Sequence, residues 1–177
     1  MRPRNSLLLA AALLIAAPVS LAAQDADAKA MMKEAMSAAL PSIADDATIL
    51  DWEGTVLKEG TNGWTCLPTP PNLEGTAPMC LDAQWLAWAG AWHAKLPVET
   101  TAVGIGYMLA GDEGASNTDP FAEGPTDDND WVVAGPHLMV IVPDVADLEG
   151  VSDDHTSGGP WVMWKGTPYA HIMVPVR

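Results

Sequence analysis

The chain has 177 residues, and its 23 acidic against eight basic residues give a formal net charge of −15. This charge repels nucleic acids and anionic membrane surfaces and argues against them as partners, whereas it suits solubility and cationic partners. Apolar residues make up 49% of the chain and eight residues are tryptophan, a composition that argues against disorder and for one domain with a buried core.

The first 23 residues predict a secretory signal peptide. Arg2 and Arg4 provide the positive start, residues 7–17 form a short apolar stretch, and small residues follow. A membrane anchor is the alternative, but it needs about 20 apolar residues, and Pro18 interrupts the stretch. We therefore expect an exported, soluble protein in the periplasm or outside the cell, with no integral membrane segment after cleavage.

The remaining residues, 24–177, are expected to form one globular domain. Loss of Arg2 and Arg4 leaves six basic residues against 23 acidic ones, a net charge of −17. The first element of the domain is a helix over residues 24–41, because this segment is rich in helix formers and Pro41 ends it. The apolar stripe of this helix docks on the domain or, alternatively, binds a partner.

Two short strands are predicted next, in TILDW and GTVLKEG, followed by the two cysteines of the chain, Cys66 and Cys80. The segment between the cysteines contains four prolines and therefore predicts an irregular loop. In an oxidising compartment the two thiols form a disulfide, which stabilises the fold by about 3 kcal/mol in the chain-entropy model. A redox pair or a thiolate metal site is the alternative, and the spacing matches neither motif.

The segment LDAQWLAWAGAWHAKL predicts the second helix. Asp82 is a suitable N-cap, and Pro97 ends the helix. Trp85, Trp88 and Trp92 fall on one face with the spacing of core residues, so we expect this face to be buried.

Strands dominate from residue 101 on. Four segments, TAVGIGYMLAG, WVVAGPHLMVIVP, PWVMW and YAHIMVPV, have the composition of strands, and the last two predict a terminal hairpin. The glycines of the first segment indicate a bulge or close packing. Two helices in the N-terminal half and four or five later strands predict an α+β domain with a mainly antiparallel sheet and one disulfide.

An acidic loop, residues 111–130, separates two of these strands and carries seven acids and no base. A loop of this length in a compact domain is usually functional or disordered. Hard cations take carboxylate and carbonyl oxygens, so an irregular calcium site is one interpretation, although the EF-hand pattern is absent. A solvated, flexible loop is the other interpretation. The candidate calcium ligands are Asp112, Asn117, Asp119, Asp128 and Asp130.

The same loop provides candidates for catalysis, with a histidine nearby as the base. Asx-turn chemistry explains its polar residues without catalysis, and no standard nucleophile, metalloprotease or phosphate-loop motif occurs in the expected mature chain. His155 is a further candidate base, but its surroundings, SDDHTSGG, are typical of an exposed loop. The candidate catalytic residues are Ser116, Asn117, Asp119, His137 and His171.

The sequences HLMV and HIMV, which begin at His137 and His171, form a short repeat. Alternate side chains of a strand share a face, so His137 lies beside Met139, and His171 beside Met173. If the two strands are neighbours, their imidazole and thioether groups would suit copper, with methionine favouring Cu(I). An ordinary pair of core strands is the alternative.

The tryptophans outside the second helix suggest a binding surface, because indole rings stack on sugars and on cations. Trp64 and Trp131 flank loops. Trp161 and Trp164 fall on opposite faces if their segment is a strand, which would expose at least one of them. This pattern favours a glycan or a cationic ligand.

None of these motifs identifies a family. The leading hypothesis is a bacterial-type envelope protein that binds a ligand, a partner or a metal ion, either a divalent cation or copper, without catalysis. The alternatives are a hydrolase-like or metal-dependent enzyme that uses the Asp/Asn/Ser loop with a nearby histidine, and a structural envelope protein. Convergence of the acidic loop with the histidines would favour the enzyme, because catalytic sites assemble residues that are distant in sequence.

Overall fold

Three helices lie in the part of the chain that the structure describes, residues 21–176 of a computed structural model. Most of the predicted signal peptide, residues 1–20, lies outside this range. Within the described residues no helix is long and apolar enough to cross a membrane. The helices are α1 (Leu21–Met36), α2 (Pro41–Ala44) and α3 (Ala83–His93).

The predicted N-terminal helix over residues 24–41 ends five residues early, and a second short helix follows it. α1 starts earlier and ends at Met36, and Pro41 stands at the beginning of α2. The preceding residue, Leu40, has extended backbone with φ −63° and ψ 150°, as the proline ring requires of its neighbour. The expectation that Pro41 ends the first helix was therefore wrong, because α1 ends before it and a proline without an amide hydrogen suits the first turn of α2.

Short strands make up most of the remaining structure. The strands of the described residues are β1 (Thr48–Leu50), β2 (Val56–Lys58), β3 (Thr65–Leu67), β4 (Met79–Leu81), β5 (Gly104–Met108), β6 (Ala115–Ser116), β7 (Trp131–Val132), β8 (His137–Ile141), β9 (Trp161–Met163) and β10 (His171–Pro175). Eight of them form one sheet in the order β2-β1-β3-β4-β5-β8-β10-β9, and β6 pairs with β7 in a separate ribbon.

The large sheet is mixed but mostly antiparallel, since β1 and β3 are its one parallel pair among the described strands. The predicted α+β fold with a mainly antiparallel sheet is confirmed. The expected two helices, two early strands and four or five later strands were too few. Most of the extra strands have two or three residues, which is too short for an alternating pattern to be visible in the sequence.

The predicted disulfide is confirmed, since Cys66 is bonded to Cys80. The two cysteines are direct partners across the antiparallel strands β3 and β4, with their Cα atoms 4.0 Å apart. The proline-rich segment between them is therefore the connection of a hairpin, and its irregular part lies between the two strands.

The predicted N-cap of helix α3, Asp82, is confirmed, and the same side chain attaches the helix to the sheet. The side chain of Asp82 accepts hydrogen bonds from the backbone N–H groups of Trp85 and Ile105, at 2.8 and 2.7 Å. The predicted burial of Trp85 and Trp88 is confirmed, whereas Trp92 is half-buried. One side chain thus caps the helix and fixes it to β5.

α1 and α3 cover opposite faces of the sheet. In β4, Cys80 belongs to the apolar cluster under α1, while the next residue, Leu81, belongs with Trp85 to the cluster under α3. Successive residues of a strand point to opposite faces, which explains the division. The turn at Val145–Leu148 covers β9 and β10 on the α1 side, with Leu148 against Val162. The α3 face of β8, β9 and β10 carries the candidate functional residues.

Candidate functional site

The four residues of the His/Met repeat are buried on one face of two neighbouring strands, β8 and β10. Met139 and Met173 are directly opposite each other, whereas His137 is opposite Pro175. The two histidines therefore lie at opposite ends of the methionine pair, about 13 Å apart along the strands for four residues of rise. The strands are adjacent as the copper hypothesis requires, but their register separates the two imidazoles; copper binding stays a prediction.

His171 is enclosed by tryptophan rings. The ring centroids of Trp85, Trp88 and Trp164 lie 5.3, 5.5 and 4.9 Å from that of His171, all in edge-to-face geometry. The Nδ1 atom of His171 donates to the carbonyl of Tyr169 at 3.0 Å. Burial lowers the pKa of His171 to about 4, so the imidazole is neutral at pH 7 and packs as a core residue.

His137 has a different environment, because its ring meets an acid of the acidic loop. Its Nδ1 donates to the carbonyl of Gly135 at 2.7 Å, and its Nε2 lies 3.7 Å from Oδ2 of Asp112. This separation suits an ion pair but is too long for a hydrogen bond. Oδ1 of Asp112 accepts from the N–H groups of Gly114 and Ala134. Burial raises the pKa of Asp112, although the nearby His137 and the two N–H groups oppose the rise.

Two tryptophans, Trp92 and Trp164, donate hydrogen bonds to the acidic loop. The indole N–H of Trp164 donates to the carbonyl of Ser116 at 2.7 Å, and that of Trp92 donates to the carbonyl of Pro120 at 3.0 Å. Within the loop, β6 pairs with β7. Much of the loop is exposed, as a solvated loop would be, but these contacts fix it against the α3 face of the sheet.

The structure divides the calcium candidates among different places. Asp112 lies beside β8, and Asp119 and Asp128 line an open cavity of about 500 Å³. The carboxylate of Asp130 instead accepts a hydrogen bond from the side chain of Asn117. In the described part of the chain, no group of three or more His, Cys, Asp or Glu side chains is arranged to hold a metal ion. Calcium binding stays a prediction.

Ser116 is buried and engaged in a turn. Its Oγ donates to the carbonyl of Asn129 at 2.7 Å and accepts from the N–H groups of Thr118 and Asp119 at 3.2 and 2.8 Å. Asp119 in turn accepts from the N–H of Phe121. This is the turn chemistry that explains such residues without catalysis, and these contacts include no histidine.

His155 forms a second histidine–aspartate pair with the acidic loop. Its Nε2 lies 3.3 Å from Oδ1 of Asp130, whose Oδ2 accepts from Nδ2 of Asn117 at 2.9 Å. The same Nδ2 donates to the carbonyl of Asp153 at 3.0 Å. Asp130 has φ of 45°, which is uncommon for a residue with a Cβ and is more often found at functional sites and tight turns. His155 is 28% exposed, so it is less exposed than its sequence context suggests.

His137 and His155 line the same cavity, which has a volume of about 360 Å³ and is called the His137 cavity below. The indole of Trp161 is also part of its wall. The other lining residues that the structure describes are apolar or glycine. The aliphatic and proline side chains among them are Val132, Val133, Ala134, Pro136, Pro175 and Val176.

Two buried nitrogens of the cavity walls, Nε2 of His137 and Nε1 of Trp161, have no hydrogen-bond partner among the described residues. His137 is 1% exposed and Trp161 is 5% exposed, so neither is paired with bulk solvent. Nearly all buried polar groups in proteins are hydrogen-bonded, and an exception indicates strain, function or a bound molecule. Because His137, His155 and Trp161 also meet aliphatic side chains around one cavity, the His137 cavity is the candidate functional site.

Sequence reasoning identified part of this site for a different reason. His137 was a candidate through the His/Met repeat, but Asp112, its actual neighbour, was assigned to calcium. Trp161 was considered only for an exposed surface. The cavity walls come from residues that are far apart in the chain and meet through the pairing of β8 with β10, and no local signal in the sequence predicts that meeting.

The expected exposure of Trp161 or Trp164 was wrong, because both are buried. Trp164 has φ of 57°, so the alternation of the strand stops there and its ring turns into the same core cluster as Trp161. Trp64 and Trp131 are half-buried. Trp52, which was not a candidate, is more exposed than Trp64 or Trp131, at 38%.

No protein-family model, no curated protein and no solved structure matches this chain.

Proposed function

We propose that the protein is an exported, soluble envelope protein that binds a small ligand in the His137 cavity and does not transform it. One observation carries the proposal: the polar side chains of His137, His155 and Trp161 and a set of aliphatic side chains line one cavity of about 360 Å³.

The dimensions of the cavity support a ligand larger than water. Its volume of about 360 Å³ is many times the share of one water molecule, about 30 Å³. It falls within the range of about 300–1,000 Å³ that is typical of small-molecule sites. The mixture of aliphatic walls with a few polar groups is also typical of such sites, because the walls bury the ligand and the polar groups orient it.

Export is supported by the disulfide between Cys66 and Cys80, since disulfides persist in oxidising compartments. The N-terminal sequence, with its two arginines and short apolar stretch, has the pattern of a signal peptide. N-terminal sequencing of the protein recovered from the periplasm or the medium tests this part. A chain that retains residue 1 in the cytoplasmic fraction would contradict it.

The binding proposal is tested by NMR titration of ¹⁵N-labelled protein with probes of different chemistry: glucose, phenol, acetate and choline. The backbone amides of Val133, Ala134 and Gly135 report on the cavity that these residues line. We expect at least one probe to shift these signals in a saturable way. If none of the four does so, the proposal is rejected and a structural role in the envelope is favoured.

A matched pair of variants locates the binding. Trp161→Phe keeps an aromatic ring but removes part of the aromatic surface that lines the cavity, and it should weaken binding on the order of tenfold. Trp64→Phe makes the same change in a half-buried indole of the cluster under α1, and it should leave binding unchanged. Equal weakening by both variants would show that the probe does not bind in the His137 cavity.

A hydrolase-like enzyme is the second candidate, favoured by the contact of Asp130 with His155 at the cavity wall. Since Ser116 is engaged in its turn, His155 would act as a general base on water. Hydrolysis of p-nitrophenyl acetate that is lost in His155→Asn would support this candidate. Equal rates for His155→Asn and for His93→Asn, a change at an exposed histidine at the end of α3, would reject it.

Metal binding is a separate proposal that elemental mass spectrometry of the protein purified without chelators tests. Stoichiometric copper that is lost on replacing His137 and His171 by alanine would support a copper site. Stoichiometric calcium would support a calcium site. Metal-free protein whose melting temperature neither ion changes would reject both. The copper version uses His137, Met139, His171 and Met173, and the calcium version uses Asp112, Asp119, Asp128 and Asp130.

A further inference from the structure

Acidic residues surround the part of the cavity that His155 lines. Nε2 of this histidine lies 3.3 Å from Oδ1 of Asp130. Nδ2 of Asn117 donates both to Oδ2 of Asp130 and to the carbonyl of Asp153, at 2.9 and 3.0 Å, so the two acidic residues lie close together. Asp154 directly precedes His155 in the chain. Three acidic residues therefore meet around one imidazole of the cavity wall.

These acids are accessible from solvent. The side chain of Asp130 is 46% exposed and that of His155 is 28% exposed, and Asp153 and Asp154 are also exposed. Hydrogen bonds from the side chain and the backbone of Thr156 lower the pKa of Asp154, so this acid is ionised at pH 7. A charged group of a ligand beside His155 can therefore contact the carboxylate of Asp130 without entering the core.

Protonation of the two lining histidines would not make the surroundings of the cavity positive. His137 has its own acid, Asp112, at 3.7 Å. A lysine, Lys165, donates to the carbonyl of Val151, two residues before Asp153. Four carboxylates thus stand against two imidazoles and one ammonium group, and no Lys or Arg is among the described residues that line the cavity. Such surroundings attract a cation and repel an anion.

The aliphatic walls favour an organic cation over a metal ion. Val133 and Val176 line the cavity with 66% and 38% of their surface exposed, and the lining residues Pro136 and Pro175 are exposed as well. An apolar body placed on these side chains would remove their surface from water. In the part of the chain that the structure describes, no group of three or more His, Cys, Asp or Glu side chains could hold a metal ion.

We infer that the His137 cavity binds a small organic cation, whose apolar body packs on Val133 and Val176 and whose ammonium group pairs with Asp130. This chemistry is shared by cyclic and branched amines and by quaternary ammonium compounds. Because the ion pair lies beside solvent, it makes a small contribution to affinity, and burial of the apolar body supplies the rest. The inference rests on the proposed function, since it names the ligand class of the same cavity.

The test compares three ligands that share one ring and differ in charge: cyclohexylammonium, cyclohexanol and cyclohexanecarboxylate. Binding to the full mature chain is measured at pH 7 by NMR titration of the amides of Val133, Ala134 and Gly135, which line the cavity. We expect the ammonium compound to bind most tightly, on the order of fivefold more tightly than the alcohol. The carboxylate should bind most weakly.

Salt distinguishes the ion pair from apolar packing. The screening length falls from about 30 Å at about 0.01 M salt to about 3 Å at about 1 M. The affinity of cyclohexylammonium should therefore fall toward that of cyclohexanol over this range, while the affinity of cyclohexanol should not fall. An ammonium affinity that is independent of salt would overturn the ion pair.

Asp130→Asn removes one negative charge and keeps the shape of the side chain. Asparagine tolerates the φ of 45° at this position, and its oxygen can still accept from Nδ2 of Asn117. In this variant cyclohexylammonium should lose its advantage over cyclohexanol. Asp128→Asn is the matched control, because it removes one charge from the same loop at an acid that lines a different cavity. The control should keep the advantage, and the salt series on the unmodified protein carries the test if Asp130→Asn does not fold.

The outcomes separate this inference from the proposed function. Tightest binding by the alcohol or the carboxylate would overturn the cationic class but keep a small-ligand site. Equal loss of the ammonium preference in Asp130→Asn and Asp128→Asn would overturn the pairing with Asp130. No saturable binding by any of the three ligands would overturn the ligand class, and the broader panel of glucose, phenol, acetate and choline would then decide whether the proposed function also fails.

Discussion

Trp164 meets His171 edge to face, with ring centroids 4.9 Å apart and ring planes at 80°. Trp85 and Trp88 contact the same imidazole in the same manner, and His171 is 2% exposed. A protonated imidazole at this place would be removed from water without a carboxylate in contact among the described residues. Burial therefore lowers the pKa of His171 to about 4 from its ordinary value of 6.5.

This burial predicts a loss of stability in acid. Between pH 6.5 and about 4 the unfolded chain binds a proton at His171 and the folded protein does not, so the free energy of unfolding falls as the pH is lowered through this range. The contribution of this one group between pH 7 and 4 is about 3 kcal/mol. His171→Asn, which keeps a donor for the carbonyl of Tyr169, should remove that part of the pH dependence. Urea denaturation at pH 7 and at pH 4 measures it.

The control for this prediction is His93→Asn, at an exposed histidine of α3. It should lose as much stability between pH 7 and 4 as the unmodified protein does. If His171→Asn also loses that full amount, the buried imidazole is not the source of the acid sensitivity.

Reduction of the disulfide between Cys66 and Cys80 should lower the free energy of unfolding by about 3 kcal/mol, because the bond closes a loop of 14 residues. The double variant Cys66→Ala/Cys80→Ala should show the same loss. Urea denaturation with and without dithiothreitol measures it. The reductant should shift the midpoint of the unmodified protein and leave that of the double variant unchanged. A double variant as stable as the oxidised protein would contradict the prediction.

The elements that the sequence predicts well are those with local signals. α3 has a capping aspartate, Asp82, and tryptophans at helical spacing, and the structure confirms both features. β8 and β10 each have five residues with alternating burial, long enough for a period of two to be visible. By contrast, β6 and β7 have two residues each, and their pairing depends on contacts that close a long loop.

The candidate site was harder to predict because it depends on strand register. The repeat left open whether the strands of His137 and His171 are neighbours, and the structure shows that they are. It could not show that antiparallel pairing sets His137 opposite Pro175 and leaves the two imidazoles at opposite ends of the pair Met139 and Met173. Nor could it show that Asp112, 25 residues earlier in the chain, returns to His137. A shift of register by a few residues would change these neighbours without changing the local sequence pattern.

The indole N–H of Trp164 should be important for the order of the acidic loop, since it donates to the carbonyl of Ser116 at 2.7 Å. Trp164→Phe leaves that buried carbonyl without its partner. We expect amide hydrogen exchange over residues 115–131 to accelerate on the order of tenfold. Trp52→Phe is the control, because it removes a similar indole bond, to the carbonyl of Pro68 at 2.9 Å. Equal protection of the loop in both variants would show that the bond to Ser116 does not hold it.

Gly104 should be needed for close contact between β5 and α3. A Cβ at this position would lie 2.7 Å from a side-chain carbon of Ile141 and 2.9 Å from Cβ of Gln84 in α3. Both distances are too short, and the Cβ of Gln84 moves only with its helix. Gly104→Ala should therefore lower the free energy of unfolding by about 1–3 kcal/mol, the usual cost of overpacking a core.

The matched change Gly90→Ala should have the opposite sign. Gly90 lies inside α3 with no atom within 4 Å of an added Cβ, so alanine only removes the low helix propensity of glycine and should stabilise the protein by about 0.5–1 kcal/mol. Urea denaturation of the two variants in parallel measures both changes. If Gly104→Ala were as stable as Gly90→Ala, α3 would not be packed against β5 as closely as the contact with Gln84 requires, and the glycines of GIGYM would need another explanation.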